Sequence, residues 1–166
     1  DVFGGIRSTI DAAAATAEAR AADLQDVLIS LTAEVAIDYV DVRTLQRRLE
    51  IALANANVQE QTLELAQFRA QAGLATDLDV QQALANLEST RAQISSLDAQ
   101  TAQAIHRVAV LIGQAPAALD AELSLPGTIP MAPLTLAVGV PAETLRRRPD
   151  VRSAEQLLAA ASARIG

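Results

Sequence analysis

Residues 6–72 read IRSTIDAAAATAEARAADLQDVLISLTAEVAIDYVDVRTLQRRLEIALANANVQEQTLELAQFRAQA, a run of about 67 positions with neither glycine nor proline. As one helix at 1.5 Å rise per residue the run extends ~100 Å, too long for a compact domain, where helices average about 11 to 12 residues. A second breaker-free stretch, Leu74 to Ile112, follows Gly73 directly. The pair predicts an antiparallel helical hairpin whose first arm overshoots its second by roughly 40 Å. Such a rod spans a distance or lines a conduit, and the reading of function starts from that.

Within the first arm Leu24, Leu28, Leu31, Val35, Asp38, Val42, Leu45, Leu49, Ala52, Ala56, Gln59, Leu63 and Ala66 alternate in steps of four and three. This heptad seam implies left-handed supercoiling against a neighbour. A second apolar line, Val27, Ile37, Tyr39, Ile51, Leu53, Val58, Leu65 and Phe68, lies off the seam. Two lines call for two neighbours, as in a bundle or a closed wall of helices. The second arm repeats the seam through Val80, Leu84, Leu87, Arg91, Ile94, Asp98, Thr101, Ile105, Val108 and Ile112. Arg91, Asp98 and Thr101 are costly in a dry core, so this arm is expected to rotate its buried side or to lie near water.

Gly73 suits the left-handed position after the first helix, and Thr76 suits the cap of the second, with Asp77 and Asp79 complementing the dipole in its first turn. After Gly113 come Pro116, Pro126, Gly127, Pro130, Pro133, Gly139 and Pro141. They predict an irregular segment with a short helix around Ala117 to Leu123 and an extended piece around Thr128 to Leu136. A third helix is expected from about Ala142 or Pro149, since proline is welcome at the first helical position. The fold class is therefore all-α: a long coiled-coil-like hairpin with unequal arms over 1–113, an irregular equatorial segment over 114–141, and the start of a further helix over 142–166.

Composition narrows the function. Half of the residues are hydrophobic, 51%, yet only 2% are aromatic, and the alanine behind this difference buries little area per residue. The helices are thus expected to gain stability against further helices, from elsewhere in a longer chain or from other subunits. A net charge of −7 provides no basic face for nucleic acid. With no cysteine there is neither a disulfide nor a thiolate metal site. No apolar run approaches the ~18 residues of a membrane-spanning helix. His106 is the single histidine, more readily a helix-face residue than a metal ligand, and no Ser/His/Asp constellation surrounds it. Arg146 to Arg148 read as a solvated or salt-bridged run ahead of any binding patch for an acidic partner. Tyr39 and Phe68 read as packing residues. No catalytic, cofactor-binding or metal-binding residue emerges, and an enzyme is the least supported class because polar residues are spread along faces. The first residue is Asp1, without a targeting segment, and the last residues stop at a helix end; both lead us to expect a fragment of a longer chain.

Four strings, in order, carry a resemblance. Asp1-Val2-Phe3-Gly4-Gly5 opens the chain, and Ala72-Gly73-Leu74-Ala75-Thr76-Asp77-Leu78-Asp79-Val80-Gln81-Gln82-Ala83 forms the corner. Val110-Leu111-Ile112-Gly113 ends the second arm, and Leu145-Arg146-Arg147-Arg148-Pro149-Asp150-Val151-Arg152-Ser153-Ala154-Glu155 opens the last helix. Together they resemble the TolC-like outer-membrane efflux factors, most closely the lipoprotein branch serving resistance-nodulation-division pumps. The resemblance implies a homotrimer, with each internally duplicated chain giving strands to an outer-membrane barrel and long helices to a periplasmic α-barrel. Short helices stacked end to end match the long one, which accounts for the unequal arms. The fragment is expected to lie in the periplasm, to lack the barrel strands, to need no cofactor, and to have strand-like flanks and a second hairpin downstream in the parent. Its partners are a periplasmic adaptor and an inner-membrane pump, and it does no chemistry on what passes.

By the same resemblance the corner is the periplasmic tip, with Gly73, Leu74, Ala75, Thr76, Asp77 and Asp79 as the partner-contact residues. Asp79 occupies the place of a family aspartate that bonds across the tip. Leu78 stands where the family has threonine, and Gly73 permits close backbone approach by an adaptor hairpin. The alternative reading is itself an adaptor-type hairpin, a protein-protein interaction module bridging two other proteins. A scaffold-like coiled coil is a third reading, without support from the proline-rich segment or the Arg-Arg-Pro-Asp string.

Overall fold

A computed structural model describes residues 4–131 and 141–165. Helix α1 spans Gly5–Gln71, 67 residues without a break, and α2 spans Asp77–Leu111. A 3-10 turn, Pro116–Leu119, leads into the single turn of α3, Asp120–Leu123. Two further helices follow, α4 at Pro141–Arg146 and α5 at Pro149–Ala163. The all-α expectation holds, with no strand among the described residues. The expected third helix is two helices, because Pro149 cannot extend α4 and instead opens α5 at its first position. Residues 128–131 are non-helical, as expected for an extended piece; the rest of that piece, 132–136, lies outside the described residues. None of the described helices is long and apolar enough to cross a membrane.

The chain divides into two compact units, 1–34 with 131–166 and 35–130. In the second unit α1 and α2 run antiparallel, as the pairs Asp38 with Arg107 and Glu60 with Arg91 require. From Val35 to Ala66 every residue of the predicted α1 seam is buried or half-buried. Asp38, one of its polar intruders, is met by the Arg107 guanidinium at 3.5 Å. Gln59, the other, keeps a buried side-chain oxygen without a hydrogen-bond partner. The seam of α2 differs from expectation. Thr90 and Leu97 turn inward, and Arg91 and Asp98, one residue further on, stand in water. Moving these two positions of the stripe by one residue, 100° of helix, replaces two ions by a threonine and a leucine and removes their desolvation cost. Thr101 does remain buried, its hydroxyl donating to the Leu97 carbonyl at 2.8 Å. The core of this unit is Val42, Ala104, Ile105, Val108 and Leu123, with Tyr39, Leu45 and Leu119 packed around it. Leu123 belongs to α3, so the irregular segment seals one end of the hairpin core.

In the first unit the predicted seam fails at Leu24 and Leu28, which are 60% and 51% exposed. The buried stripe here is Ala12, Ala19 and Ala22, facing Ser153 and Ala160 of α5. Small residues on both helices allow close approach, and polar bonds fix the antiparallel register. Ser153 donates to Asp23 at 2.6 Å, Arg152 to Gln25 at 3.1 Å, and the Ser8 hydroxyl to the Ala163 carbonyl.

Candidate functional site

The corner between α1 and α2 is fixed by backbone bonds alone on one side and by a side-chain cap on the other. Gly73 N–H donates to Ala70 O at 2.9 Å and Leu74 N–H to Arg69 O at 2.8 Å, satisfying the last carbonyls of α1. This double closure needs a left-handed residue, and Gly73 sits at φ +69°. A Cβ there meets nothing within 4 Å. The glycine is thus demanded by its backbone angle, and the space over it lies open.

Thr76, extended at φ −95°, ψ 160°, caps α2. Asp79 N–H donates to the Thr76 hydroxyl at 3.3 Å, while Thr76 N–H and its hydroxyl each donate to one Asp79 carboxylate oxygen at 2.8 Å. This reciprocal capping box satisfies two of the N–H groups that a helix start leaves orphaned. The Thr76 backbone bond, followed by the hydroxyl bond, holds the Asp79 carboxyl below the usual carboxylate range. Asp77, beside it, lies exposed in the same first turn. Leu74 and Leu78 are 78% and 75% exposed, two large apolar side chains at a loop tip. The structure thus brings Gly73, Leu74, Ala75, Thr76, Asp77 and Asp79 into one corner, with Asp79 used as a cap and Leu78 adding apolar surface beside it.

A second site escapes sequence reading. Arg43 is 7% exposed, although it belongs to neither apolar line. Its guanidinium lies 4.9 Å over the Tyr39 ring and donates to the Tyr39 hydroxyl at 3.1 Å, to Gln46 at 2.8 Å and to the Leu125 carbonyl at 2.7 Å. Gln46 in turn donates to the Leu123 carbonyl at 2.6 Å. These bonds satisfy the carbonyls of an irregular stretch that lacks its own ladder. Gly127 completes the fit, since a Cβ there falls 2.7 Å from the Arg43 Cζ. The sequence signal available was a glycine between two prolines, which reads equally well as an ordinary loop.

The remaining candidates are structural. His106 Nε2 lies 3.4 Å from Asp120, on the face of α2 that carries the 3-10 turn and α3. Arg148 holds Asp150 bidentately at 3.0 and 2.5 Å. Their hydrogen bonds raise the Arg148 pKa and lower that of Asp150. The salt-bridged reading of the arginine run therefore applies to Arg148. Tyr39 packs as expected, but Phe68 is 59% exposed and lies outside the buried core cluster. Among the described residues no group of three histidines or carboxylates could hold a metal ion.

Comparison with known proteins agrees with this architecture. A family model described as outer membrane efflux protein matches residues 1–114. Nodulation protein T of Rhizobium leguminosarum is 34% identical over 99% of the chain and 35% of its own length. The toluene efflux pump outer membrane protein TtgF of Pseudomonas putida is 35% identical over the whole chain and 34% of its own length. Among solved structures, the outer-membrane channel OprN superposes with a TM-score of 0.89 at 41% identity, over 98% of this chain and 36% of that one. The outer membrane protein VceC of Vibrio cholerae gives 0.78 at 25% identity, over 96% and 37%. The chain spans about a third of the length of the curated relatives it matches.

Proposed function

Because the chain belongs to the outer membrane efflux protein family, we propose that it forms periplasmic helical wall of an outer-membrane efflux channel, a passive duct that docks a periplasmic adaptor at the corner Gly73 to Asp79. The parent protein sits in the outer membrane as a homotrimer, and the adaptor links it to an inner-membrane pump. The channel performs no chemistry on what it passes.

One observation carries this reading. Ile37, Ile51, Val58 and Leu65, which fall at multiples of seven residues, are all exposed on α1, although α2 already fills the seam. A second apolar row at heptad spacing calls for a second helical neighbour, which a closed ring of staves supplies and a free two-helix hairpin does not. The relatives, described as outer membrane proteins of efflux pumps, argue against the adaptor-type alternative in the same direction.

The corner is suited to docking by backbone. Gly73 is open above its Cα, and Leu74 and Leu78 offer apolar contact. The test is Gly73→Trp in the full-length protein. Crosslinking to the adaptor and efflux are expected to fall while the outer-membrane trimer persists; unchanged crosslinking and efflux overturn the docking assignment.

A further inference from the structure

We propose that the flank of the hairpin bearing Asp41, Arg48, Asn55, Gln93, Gln100 and Arg107 lines the duct, so that the passage is walled here by amides and by two arginines against one aspartate instead of by the carboxylates that dominate the composition. The inference rests on the conduit reading above and adds to it which way the stave faces and what kind of solute the wall admits.

Beside its seam each helix of the antiparallel pair has two flanks, each repeating every seven residues. On α1 one flank runs through Tyr39, Gln46, Leu53 and Glu60, and the other through Asp41, Arg48, Asn55 and Thr62. On α2 the corresponding sets are Arg91, Asp98 and Ile105 against Gln93, Gln100 and Arg107. Contacts sort them into two faces. Glu60 meets Arg91 at 3.2 Å on the first, and Asp41 meets Arg107 at 3.9 Å on the second. Two grooves open along the second face, one lined by Asp41, Arg48, Gln100 and Arg107 among others, the next by Arg48, Asn55 and Gln93 with Ile51 at its edge and Ala52, Thr90 and Leu97 at its floor.

The irregular segment chooses between them. Leu123 packs against Ile105, and the carbonyls of Leu123 and Leu125 accept from Gln46 and Arg43. The described part of the segment, residues 114–131, therefore covers the first face and leaves the second bare. In a ring of staves, a first face turned inward puts a 3-10 turn and an irregular loop from every copy into the bore; a second face turned inward leaves the bore clear. The flank positions of the second face, Asp41, Arg48, Asn55 and Thr62 with Gln93, Gln100 and Arg107, are also all polar, as a wall wetted by the passing solution must be. Glu60, Glu88 and Asp98, with Arg91 as counter-ion to the two glutamates, then stand on the outside. A net charge of −7 consequently does not make this stretch a cation-concentrating passage. Arg48 and Arg107 against Asp41, spaced by amides, suit solutes that hydrogen-bond, with no requirement for positive charge.

The chain contains no cysteine, so single replacements in this region give local handles. In the purified full-length channel in a planar bilayer, a poly(ethylene glycol) maleimide attached at Asn55→Cys or Gln93→Cys is expected to cut single-channel conductance several-fold. Attached at Glu60→Cys or Asp98→Cys it leaves conductance unchanged. Arg48→Glu is expected to move the reversal potential in a salt gradient toward cation selectivity, and Glu60→Arg to leave it unmoved. The five replaced positions, Arg48, Asn55, Glu60, Gln93 and Asp98, are all exposed and spare the core. A conducting channel showing any other pattern of block, or a reversal potential indifferent to Arg48→Glu, overturns the facing and leaves the conduit reading intact. An unmodified channel that does not conduct overturns the conduit reading, and the facing with it.

Discussion

Thr76 and Asp79 show how much of the corner rests on one pair of side chains. Removing the hydroxyl in Thr76→Ala costs about 1 kcal/mol of helix stability and should fray the first turn of α2, seen as faster amide exchange at Asp79. The Asp79 carboxyl is held below its usual range by Thr76, so its contribution is fully present above the ordinary carboxylate pKa of about 4. That contribution is lost as the pH falls through the lower folded-state value. Protection of Thr76 N–H, measured relative to its intrinsic exchange rate at each pH, should accordingly fall on acidification, and Asp79→Asn should flatten the dependence. Gly127 is a residue of the opposite kind, small because something else needs the space. In Gly127→Ala the new methyl meets the Arg43 guanidinium at 2.7 Å. Arg43 must then leave the Leu125 carbonyl, at a cost of about 1–3 kcal/mol, measurable by denaturant unfolding. The Thr76 cap was legible from sequence because helix-start chemistry is local. Arg43 was not, because its partners at Leu123 and Leu125 are about 80 residues away and are backbone carbonyls, which every residue possesses.

Along the elements, the α1 stripe from Val35 to Ala66 follows the sequence period, whereas on α2 two positions of the stripe, Thr90 and Leu97, lie one residue before those its apolar line suggests. Both lines share Val80, Leu87, Ile94, Thr101 and Val108; they part where Leu97 competes with Asp98. Leu97 is 2% exposed, so Leu97→Ala is expected to cost about 2–5 kcal/mol, while Asp98→Ala should change stability by less than about 0.5 kcal/mol. Equal effects of the two in thermal or denaturant melts contradict the observed register. The N-terminal third of α1 teaches a complementary lesson. Leucine is the stronger core residue by area, yet Leu24 and Leu28 are exposed and alanines are buried. The partner α5 presents Ser153 and Ala160, and close approach of two small-residue faces leaves no depth for a leucine.

For the whole molecule, the exposed row on α1 is the feature that the described helices leave uncovered. Replacing Val58 and Leu65 together by lysine should leave the stability of the α1–α2 pair within about 0.5 kcal/mol per site, because neither side chain is buried in this chain. The same double change in the full-length protein is expected to abolish the trimer on native gels and by crosslinking. A trimer that survives it places the helical neighbour elsewhere. Losing assembly without losing fold is the signature of surface kept apolar for other staves.

The sequence by itself determined that α1 is one uninterrupted helix, that the chain turns at Gly73, and that Thr76 caps α2, because breakers, caps and left-handed positions act within a few residues of themselves. It also determined that α1 carries two apolar lines, since the period is written in the spacing. Tertiary structure alone decided which of two overlapping stripes on α2 is buried, that alanines outrank leucines against α5, and that Arg43 and Gly127 hold the irregular segment on one face. Those choices depend on the shape and hydrogen-bonding needs of a partner distant in the chain, and no local pattern encodes the distance of closest approach.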